Sequence, residues 1–234
     1  MYIATEIRPG VFAIDDGNVR MYLICGTNRA LLLDSGYGSG DLRSFIKKYY
    51  SGPIVLAHTH THGDHIGADN QFESIYAAQE EWPELISAGI HSNVLCPLQD
   101  GDIFDLGDRI IIAHDTPGHT VRSMSFSDDA NRILFTGDLV SDVAVYLCMP
   151  GSDLIAYQQS LQKLLGVQAK YDVFLGCHGK AEQYADAVQR LLNCANNVAN
   201  KEGTWKVANP FADFFCQSFT FDGATLFLPL DFLH

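Results

Sequence analysis

A short buried-strand pattern that runs directly into a cluster of histidines is the most informative stretch of this chain. Residues 53–57 are mostly aliphatic, and residues 58–65 read His-Thr-His-Thr-His-Gly-Asp-His. Neutral imidazole is a ligand suited to zinc and iron, and a carboxylate adds a hard anionic donor. Because side chains alternate along extended backbone, His60 and His62 point the same way and can chelate one ion together.

The second half of the cluster indicates a second ion. Gly63 allows the backbone to turn, which aims Asp64 and His65 at a different position from the first pair. A histidine-rich tract can also be a surface loop with adventitious metal affinity, and single histidines are more often structural residues than ligands. Donors that recur elsewhere in the chain decide between these interpretations.

Three further donors occur later in the chain. Each follows a strand pattern and lies beside a glycine: His119 after Ile110–Ala113, Asp138 after Ile133–Phe135, and His178 after Val173–Leu175. A neighbouring glycine permits a tight turn that exposes the side chain at a sheet edge, where sites in α/β proteins gather. Together these residues supply the additional donors that two metal ions need.

The remaining periodicity favours one α/β unit with antiparallel strands at its start. Further predicted strands are Val11–Ile14, Met21–Cys25, Ala30–Leu33 and Met124–Phe126, and Asp222-Gly223 predicts a hairpin turn. Predicted helices are Asp41–Tyr50, Asp153–Leu165 with Ser152 as cap and Gly166 as stop, and Ala181–Ala199. Neither a repeat nor a long linker divides the chain, so a single domain over 1–234 is predicted.

The composition limits the kinds of molecule that the protein is expected to bind. A formal net charge of −13 disfavours nucleic acid, although it does not exclude a metal-dependent nuclease. No apolar run approaches the roughly 18 residues of a membrane span, and the N-terminus lacks a signal-peptide pattern. We therefore expect a cytoplasmic protein that acts on a small molecule without a membrane and possesses free cysteine thiols. A homodimer is compatible with the sequence.

With these motifs in place, the sequence resembles the metallo-β-lactamase superfamily. Residues 60–65 match its H-x-H-x-D-H signature, and the later motifs match His119, Asp138 and His178 in the expected order. An earlier family aspartate that supports the site matches Asp34. The resemblance covers about residues 10–180 and implies an αββα sandwich. In that fold two mixed sheets pack face to face, with helices on the outer faces and the metals at one edge.

The resemblance also implies a ligand set for two divalent ions, with zinc preferred and iron or manganese as alternatives. The first ion would be held by His60, His62 and His119, and the second by Asp64, His65 and His178, with Asp138 bridging them. Asp34 would orient a ligand imidazole. Asp64 is also a candidate proton shuttle, and so the candidate catalytic residue, whereas His58 falls outside the signature and is interpreted as structural.

Two neighbouring cations lower the pKa of a bridging water and polarise a carbonyl or phosphoryl oxygen. The predicted reaction is attack by a metal-bridging hydroxide on a small-molecule ester, thioester or lactone. Aspartate at position 138, where β-lactamase branches have cysteine or serine, argues against antibiotic hydrolysis. His62, in place of the glutamate of flavodiiron reductases, argues against that redox branch. The pattern resembles the glyoxalase II, lactonase and thioesterase-like hydrolases.

Several alternatives remain open. A sulfur dioxygenase of the same superfamily with a single iron, a phosphodiesterase, and a non-catalytic metal-binding module all fit parts of the pattern. Residues 139–150 are apolar for a loop near the site, and they either pack in the core, which is the favoured interpretation, or line an acyl pocket. The segment Glu84–Leu98 is a candidate lid. The ligand pattern leaves the substrate itself undetermined.

Overall fold

Mixed β-sheets dominate the structure, a computed structural model that describes residues 1–200, 202–211, 214–230 and 232. The end of the predicted 1–234 domain, together with residues 201, 212 and 213, lies outside this described part. The first sheet contains β1 (Ile3–Arg8), β2 (Val11–Asp16), β3 (Val19–Cys25), β4 (Ala30–Leu33), β5 (Ile54–Ala57), β6 (Ile75–Ala77) and β7 (Leu95–Pro97). These strands lie in chain order, antiparallel from β1 to β4 and parallel from β4 to β7.

The later strands form a second sheet and a smaller third one. They are β8 (Ile103–Asp105), β9 (Ile110–Asp115), β10 (Met124–Asp128), β11 (Ile133–Gly137), β12 (Val145–Tyr146), β13 (Val173–Gly176), β14 (Glu182–Gln183), β15 (Thr204–Phe211), β16 (Phe214–Phe221) and β17 (Ala224–Leu228). The second sheet has the order β14-β13-β11-β10-β9-β8, and only its β11–β13 pair is parallel within the described residues. The third has the order β12-β17-β16-β15.

The first two sheets pack face to face through alternate side chains of their strands. Tyr22 and Leu33 from the first sheet share a buried cluster with Phe126, Phe135 and Leu175 from the second. Because side chains alternate along a strand, the neighbouring residues face outwards and need a second apolar layer. Helices supply that layer on both sides.

Four helices cover the outer faces in the described part of the chain. They are α1 (Leu42–Ile46), α2 (Trp82–Ser87), α3 (Leu154–Val167) and α4 (Ala185–Asn197). α1 and α2 pack on the first sheet, where Leu42 and Leu85 join Leu23. α3 and α4 pack on the second sheet, where Leu161 joins Phe174. The layers are therefore helix, sheet, sheet and helix, as the sequence predicts.

The helix boundaries differ from the predicted ones in three places. α3 is capped by Asp153 instead of Ser152, because the Asp153 side chain accepts a hydrogen bond from Ala156 N, and the helix continues past Gly166. α1 ends at Ile46, short of the predicted Tyr50. The predicted start of α4 is four residues too early, because part of that stretch forms β14.

The third sheet extends the fold beyond the two predicted sheets. Its predicted turn is present: Asp222 and Gly223 both have positive φ, 51° and 76°, which two-residue hairpins of this kind require. Leu226 and Phe219 pack against α4. Among the described residues, none of the helices combines the length and the hydrophobicity that crossing a membrane would require.

Candidate metal centre

The strand order brings the predicted donors to one edge of the sandwich. β4 and β5 are parallel neighbours, as are β11 and β13, so the carboxyl ends of each pair meet. Asp34 follows β4, residues 58–65 follow β5, and Asp138 and His178 follow β11 and β13. The two sheets are joined beside these donors by a hydrogen bond of 2.7 Å from Met124 N to Thr59 O.

The donors form two groups. The ring nitrogens of His60, His62 and His119 lie within 4.8 Å of one another, with 3.0 Å between His62 Nδ1 and His119 Nε2. The donor atoms of Asp64, His65 and His178 form the second group. In it, Asp64 Oδ2 lies 3.3 Å from His178 Nε2 and 3.8 Å from His65 Nε2. These are the two groups that the resemblance implies.

Asp138 lies between the two groups. Its Oδ2 is 3.1 Å from His178 Nε2, 3.5 Å from His119 Nε2 and 3.9 Å from His60 Nε2. Its Oδ1 is 3.5 Å from His65 Nε2. A single carboxylate is therefore close to members of both groups, as a bridging ligand would have to be.

The chemistry of these residues fits divalent metal ions. His60 Nε2, His65 Nε2 and Asp138 Oδ1 are buried and have no hydrogen-bond partner among the described residues. Buried polar atoms are normally satisfied, because an unpaired one is costly. One of the three belongs to the first group, one to the second and one to the residue between them. Cations held by nitrogen and oxygen donors would satisfy all three.

Hydrogen bonds on the far side of the rings fix the direction of four imidazoles. Each presents Nε2 to the site and holds Nδ1 in a contact: His65 with Asp34 Oδ2 at 2.9 Å, His119 with Tyr146 O at 2.8 Å, His178 with Asn18 O at 2.7 Å, and His60 with Thr59 Oγ1 at 3.1 Å. A carbonyl can only accept, so Nδ1 of His119 and of His178 carries the proton. In the neutral form of each ring, Nε2 is then the nitrogen whose lone pair can bind a metal.

Asp34 lies behind the donors and is fully buried. It accepts hydrogen bonds from Thr59 N and Thr59 Oγ1, both at 2.8 Å, and from His65 Nδ1. Burial raises the pKa of the Asp34 carboxyl, but the charges and hydrogen bonds of His65 and His58 outweigh it and hold that pKa well below its usual range. The backbone of Asp34 is left-handed, with φ of 66°, which is uncommon outside glycine. This placement agrees with the predicted supporting role.

His58 lies outside the two groups of donors. Its Nε2 is 2.9 Å from Asp69 Oδ2, its Nδ1 is 3.4 Å from Asp34 Oδ1, and the ring is buried. Asp69 in turn accepts a hydrogen bond of 2.6 Å from Ser35 Oγ. His58 therefore belongs to a buried network that supports Asp34, in keeping with its structural interpretation.

The charge states of Asp138, His119 and His60 also suit metal binding. Burial raises the pKa of Asp138, but His178 and His65 more than offset it, so that this pKa lies well below its usual value and the carboxylate is anionic. Burial lowers the pKa of His119 to about 4 and that of His60 further below its usual value. Neutral imidazole and ionised carboxylate are the forms that bind a cation. Burial lowers the pKa values of His65 and His178, but neighbouring carboxylates more than offset it and raise both, so these two rings would release a proton when a cation binds.

Two glycines beside the donors are required by their surroundings. Gly137 precedes Asp138 and has φ of 54°, and Gly118 precedes His119 with φ of 132°. A Cβ at Gly118 would lie 2.3 Å from Tyr157 Cα. The expected turn at Gly63 is present, closed by a hydrogen bond of 2.9 Å from His65 N to His62 O, but the φ of Gly63 is not among the positive ones, so this turn does not require glycine. A Cβ there would meet nothing within 4 Å, so Gly63 instead leaves the cavity open.

Glu81 is a supporting residue that the sequence did not indicate. Its buried carboxylate accepts hydrogen bonds from Thr61 Oγ1 at 2.7 Å, Thr120 Oγ1 at 2.6 Å and Arg122 N at 2.9 Å. Thr61 lies between His60 and His62, and Thr120 follows His119. Glu81 therefore joins the two loops that carry the first group of donors.

A cavity of about 930 Å³ opens onto the donors. Its lining is polar in part, with Asp15, Asn18 and Arg20, and apolar in part, with Val143, Ala144, Tyr146, Met149 and Phe227. The apolar stretch at 139–150 has two kinds of surroundings: Val140, Val145 and Leu147 pack in the core as favoured, while several of their neighbours line the cavity.

The lid prediction for Glu84–Leu98 is wrong. No described residue of that segment lines the cavity. The segment instead continues α2 and adds β7 to the first sheet, where Leu85 and Leu95 are buried.

The six cysteines are free, as predicted. Cys177, next to His178, is buried, and burial raises the pKa of its thiol to about 12. It is therefore a protonated structural thiol whose Sγ lies 3.7 Å from Asp34 Oδ2.

Fold and site together define an αββα protein with a candidate metal centre at one edge of its sheets. The chain belongs to the metallo-β-lactamase superfamily, whose family model matches residues 14–178. A solved metallo-β-lactamase from Pontibacter korlensis superposes with a TM-score of 0.72 at 19% identity, covering 84% of this chain and 100% of that one. The predicted family and fold are thereby confirmed.

Two curated relatives indicate the branch. An acyl-coenzyme A thioesterase, MBLAC2 of Gallus gallus, is 26% identical and aligns with 83% of this chain and 85% of its own length. A hydroxyacylglutathione hydrolase of Rhodopseudomonas palustris is 29% identical over 50% of this chain and 46% of that protein. Both are similar to this chain, and both names describe hydrolysis of ester-type bonds.

Proposed function

We propose that this protein is a hydrolase with two metal ions that cleaves small-molecule thioesters. Hydrolysis of an ester-type bond is the reaction class predicted from the sequence, and it agrees with the names of both relatives. The observation that carries the proposal is the pair of donor groups with buried, unsatisfied atoms on either side of Asp138. These groups face a cavity large enough for a small ligand.

The proposed ligand set follows the two groups. The first ion would be held by His60, His62 and His119, and the second by Asp64, His65 and His178. Asp138, which is close to members of both groups, would be shared between them. When bound, the two ions would lower the pKa of water and polarise the substrate carbonyl. The protein's own contribution is to hold the imidazoles in one tautomer and to keep the site shielded. Asp64 is partly exposed to the cavity and is the proposed proton shuttle.

The cavity favours a carboxylic thioester over a phosphodiester. Arg20 is the one lysine or arginine among the described residues that line it, and its guanidinium is already engaged. It pairs with Asp15 at 2.9 Å and donates to Gly179 O at 3.2 Å. A phosphodiester would find no free lysine or arginine among the described lining residues, and the Asp15 carboxylate, which is not among the proposed metal ligands, would repel it. A neutral carbonyl avoids that repulsion.

Two ions are favoured over the single iron of the sulfur dioxygenase alternative. A single ion in the first group would leave His65 Nε2 buried and unpaired. A single ion in the second group would leave His60 Nε2 buried and unpaired. Either arrangement retains the cost of an unsatisfied buried atom. A single ion among His60, His65 and Asp138, whose donor atoms also lie within 4.8 Å of one another, would satisfy those atoms. It would leave four more converging donors without an ion: His62, His119, Asp64 and His178. Iron content near one per chain, with oxygen consumed on a persulfide substrate, would instead support the dioxygenase.

The test combines metal analysis with a substrate panel. We expect about two metal ions per chain and hydrolysis of thioesters in preference to phosphodiesters. His119→Ala should lower both the metal content and kcat/KM, whereas His91→Ala should change neither. His91 is exposed, belongs to neither group of donors and does not line the cavity, so it is the matched control. Cleavage of phosphodiesters without any cleavage of thioesters or carboxyl esters would refute the proposal.

A further inference from the structure

We infer that Val143, Tyr146, Met149 and Phe227 form a wall that binds the acyl chain of the substrate, so that the protein selects thioesters of apolar acids over acetyl thioesters. This inference rests on the proposed function and adds to it the part of the substrate that is recognised. We refer to these four residues as the acyl wall. They belong to β12, the loops on either side of it, and β17.

Strand geometry explains why the acyl wall faces the cavity. β12 and β17 are parallel, with Val145 opposite Leu226 and Tyr146 opposite Phe227. Because side chains alternate, Val145 and Leu226 point into the core beside α4, whereas Tyr146 and Phe227 point the other way. The two strands therefore present one apolar face to the core and another to the cavity.

The acyl wall retains apolar surface that the fold does not bury. Val143 is 49% exposed, and Tyr146, Met149 and Phe227 are each partly buried. The rings of Tyr146 and Phe227 contact each other edge to face, 4.8 Å between centroids, which gives the surface a fixed shape. Apolar side chains gathered in a concave site beside polar groups are typical of a ligand-binding pocket.

The acyl wall begins at the metal centre. The carbonyl of Tyr146 accepts the hydrogen bond from His119 Nδ1, at 2.8 Å. Leu147 N donates to Phe227 O, also at 2.8 Å, and this bond joins β17 to the same strand. An acyl chain whose carbonyl lies at the donors can therefore continue directly onto Tyr146 and Phe227.

The polar part of the cavity lining suits the other half of the substrate. Asp15, Asn18 and Arg20 form that part, and their polar groups would be costly to cover with a hydrocarbon chain. The acyl chain is desolvated against the acyl wall, and the more polar thiol portion lies towards Asn18 and Arg20. The 930 Å³ cavity has room for both portions.

The test compares acetyl and octanoyl thioesters of N-acetylcysteamine, so that the leaving group is constant. We expect the wild type to prefer the octanoyl substrate, and Phe227→Ala to lower the ratio of kcat/KM for octanoyl to that for acetyl about tenfold. Phe215→Ala is the matched control, because Phe215 is on the neighbouring strand β16, is 55% exposed and does not line the cavity. It should leave the ratio unchanged.

A binding measurement separates this inference from the proposed function. Metal-free protein is titrated with a ketone analogue of the octanoyl substrate, in which a methylene replaces sulfur, and Phe227→Ala should weaken its binding about tenfold. Thermal unfolding of each variant establishes that it is folded. A wild type that cleaves no thioester, yet binds the analogue through Phe227, would refute only the proposed function. An equal ratio for Phe227→Ala and wild type, or an equal loss in Phe215→Ala, would overturn the acyl wall.

Discussion

Replacing Glu81 tests how the first group of donors is held in place. Glu81→Ala removes the acceptor of three hydrogen bonds, from Thr61, Thr120 and Arg122. Hydrogen bonds to a charged acceptor contribute at least about 1.5 kcal/mol each, roughly 4.5 kcal/mol for three. Removal of the buried carboxylate also removes its desolvation cost, so we expect a net loss of about 3 kcal/mol in the free energy of unfolding.

Two control substitutions isolate the cause of that loss. Glu81→Gln keeps the size of the side chain and one acceptor oxygen, on which Thr120 and Arg122 N both converge. Its amide nitrogen can donate to the Thr61 hydroxyl, which then accepts instead of donating. We expect a loss of about 1 kcal/mol for this variant. Glu80→Ala removes a neighbouring carboxylate that is 50% exposed and should cost less than about 0.5 kcal/mol.

The assay is urea unfolding of metal-free protein, which separates the stability of the loops from the stabilisation that a bound metal adds. Competition with a chelator then measures metal affinity, which should fall about tenfold or more in Glu81→Ala because His60, His62 and His119 are less well fixed. A Glu81→Ala protein within about 1 kcal/mol of wild type, or a Glu81→Gln protein as unstable as Glu81→Ala, would refute the reasoning.

Three further predictions follow from the same site. Asp34→Asn replaces a carboxylate oxygen, which accepts hydrogen bonds from Thr59 and His65, with an amide nitrogen that cannot accept them. Metal affinity, measured by chelator competition, should therefore fall roughly 10- to 100-fold, and an unchanged affinity would contradict the supporting role of Asp34. Removal of metal by a chelator should abolish thioester hydrolysis and lower Tm, and zinc should restore both; activity that persists in metal-free protein would argue against the proposed mechanism. Gly118→Ala would bring a Cβ to 2.3 Å from Tyr157 Cα, so denaturant unfolding should reveal a loss of about 2 kcal/mol or more; a neutral effect would mean that the loop shifts freely.

The sequence was most informative where local spacing determines geometry. The alternation of His60 and His62, and the positions of Asp138 and His178 at the ends of strands, follow from a short stretch of backbone each. Parallel pairing of β11 with β13 then brings Asp138 and His178 to one edge of the second sheet, and the packing of the two sheets adds the histidines that follow β5. For this reason the donors could be predicted to lie together from residue order alone.

Contacts through the backbone and between distant segments could not be predicted in this way. Asn18 and Tyr146 hold His178 and His119 by their carbonyl oxygens, which every residue type possesses, so no side-chain signal marks them. Glu81 acts on Thr61 and Thr120 from 20 and 39 residues away, and its position at the start of a helix is ordinary. The strand β12 has only two residues, too few for a recognisable alternation.

The orientation of a metal ligand and the shape of the substrate cavity are often linked in an enzyme, but here they depend on different parts of Tyr146. The backbone carbonyl that orients His119 is present whichever side chain occupies position 146, whereas the phenol ring of Tyr146 faces the cavity. Mutations at 146 can therefore alter which molecules fit while leaving the orientation of His119 intact. Selection could diversify the substrates of such a chain over many generations, one side chain at a time, without passing through an inactive ancestor.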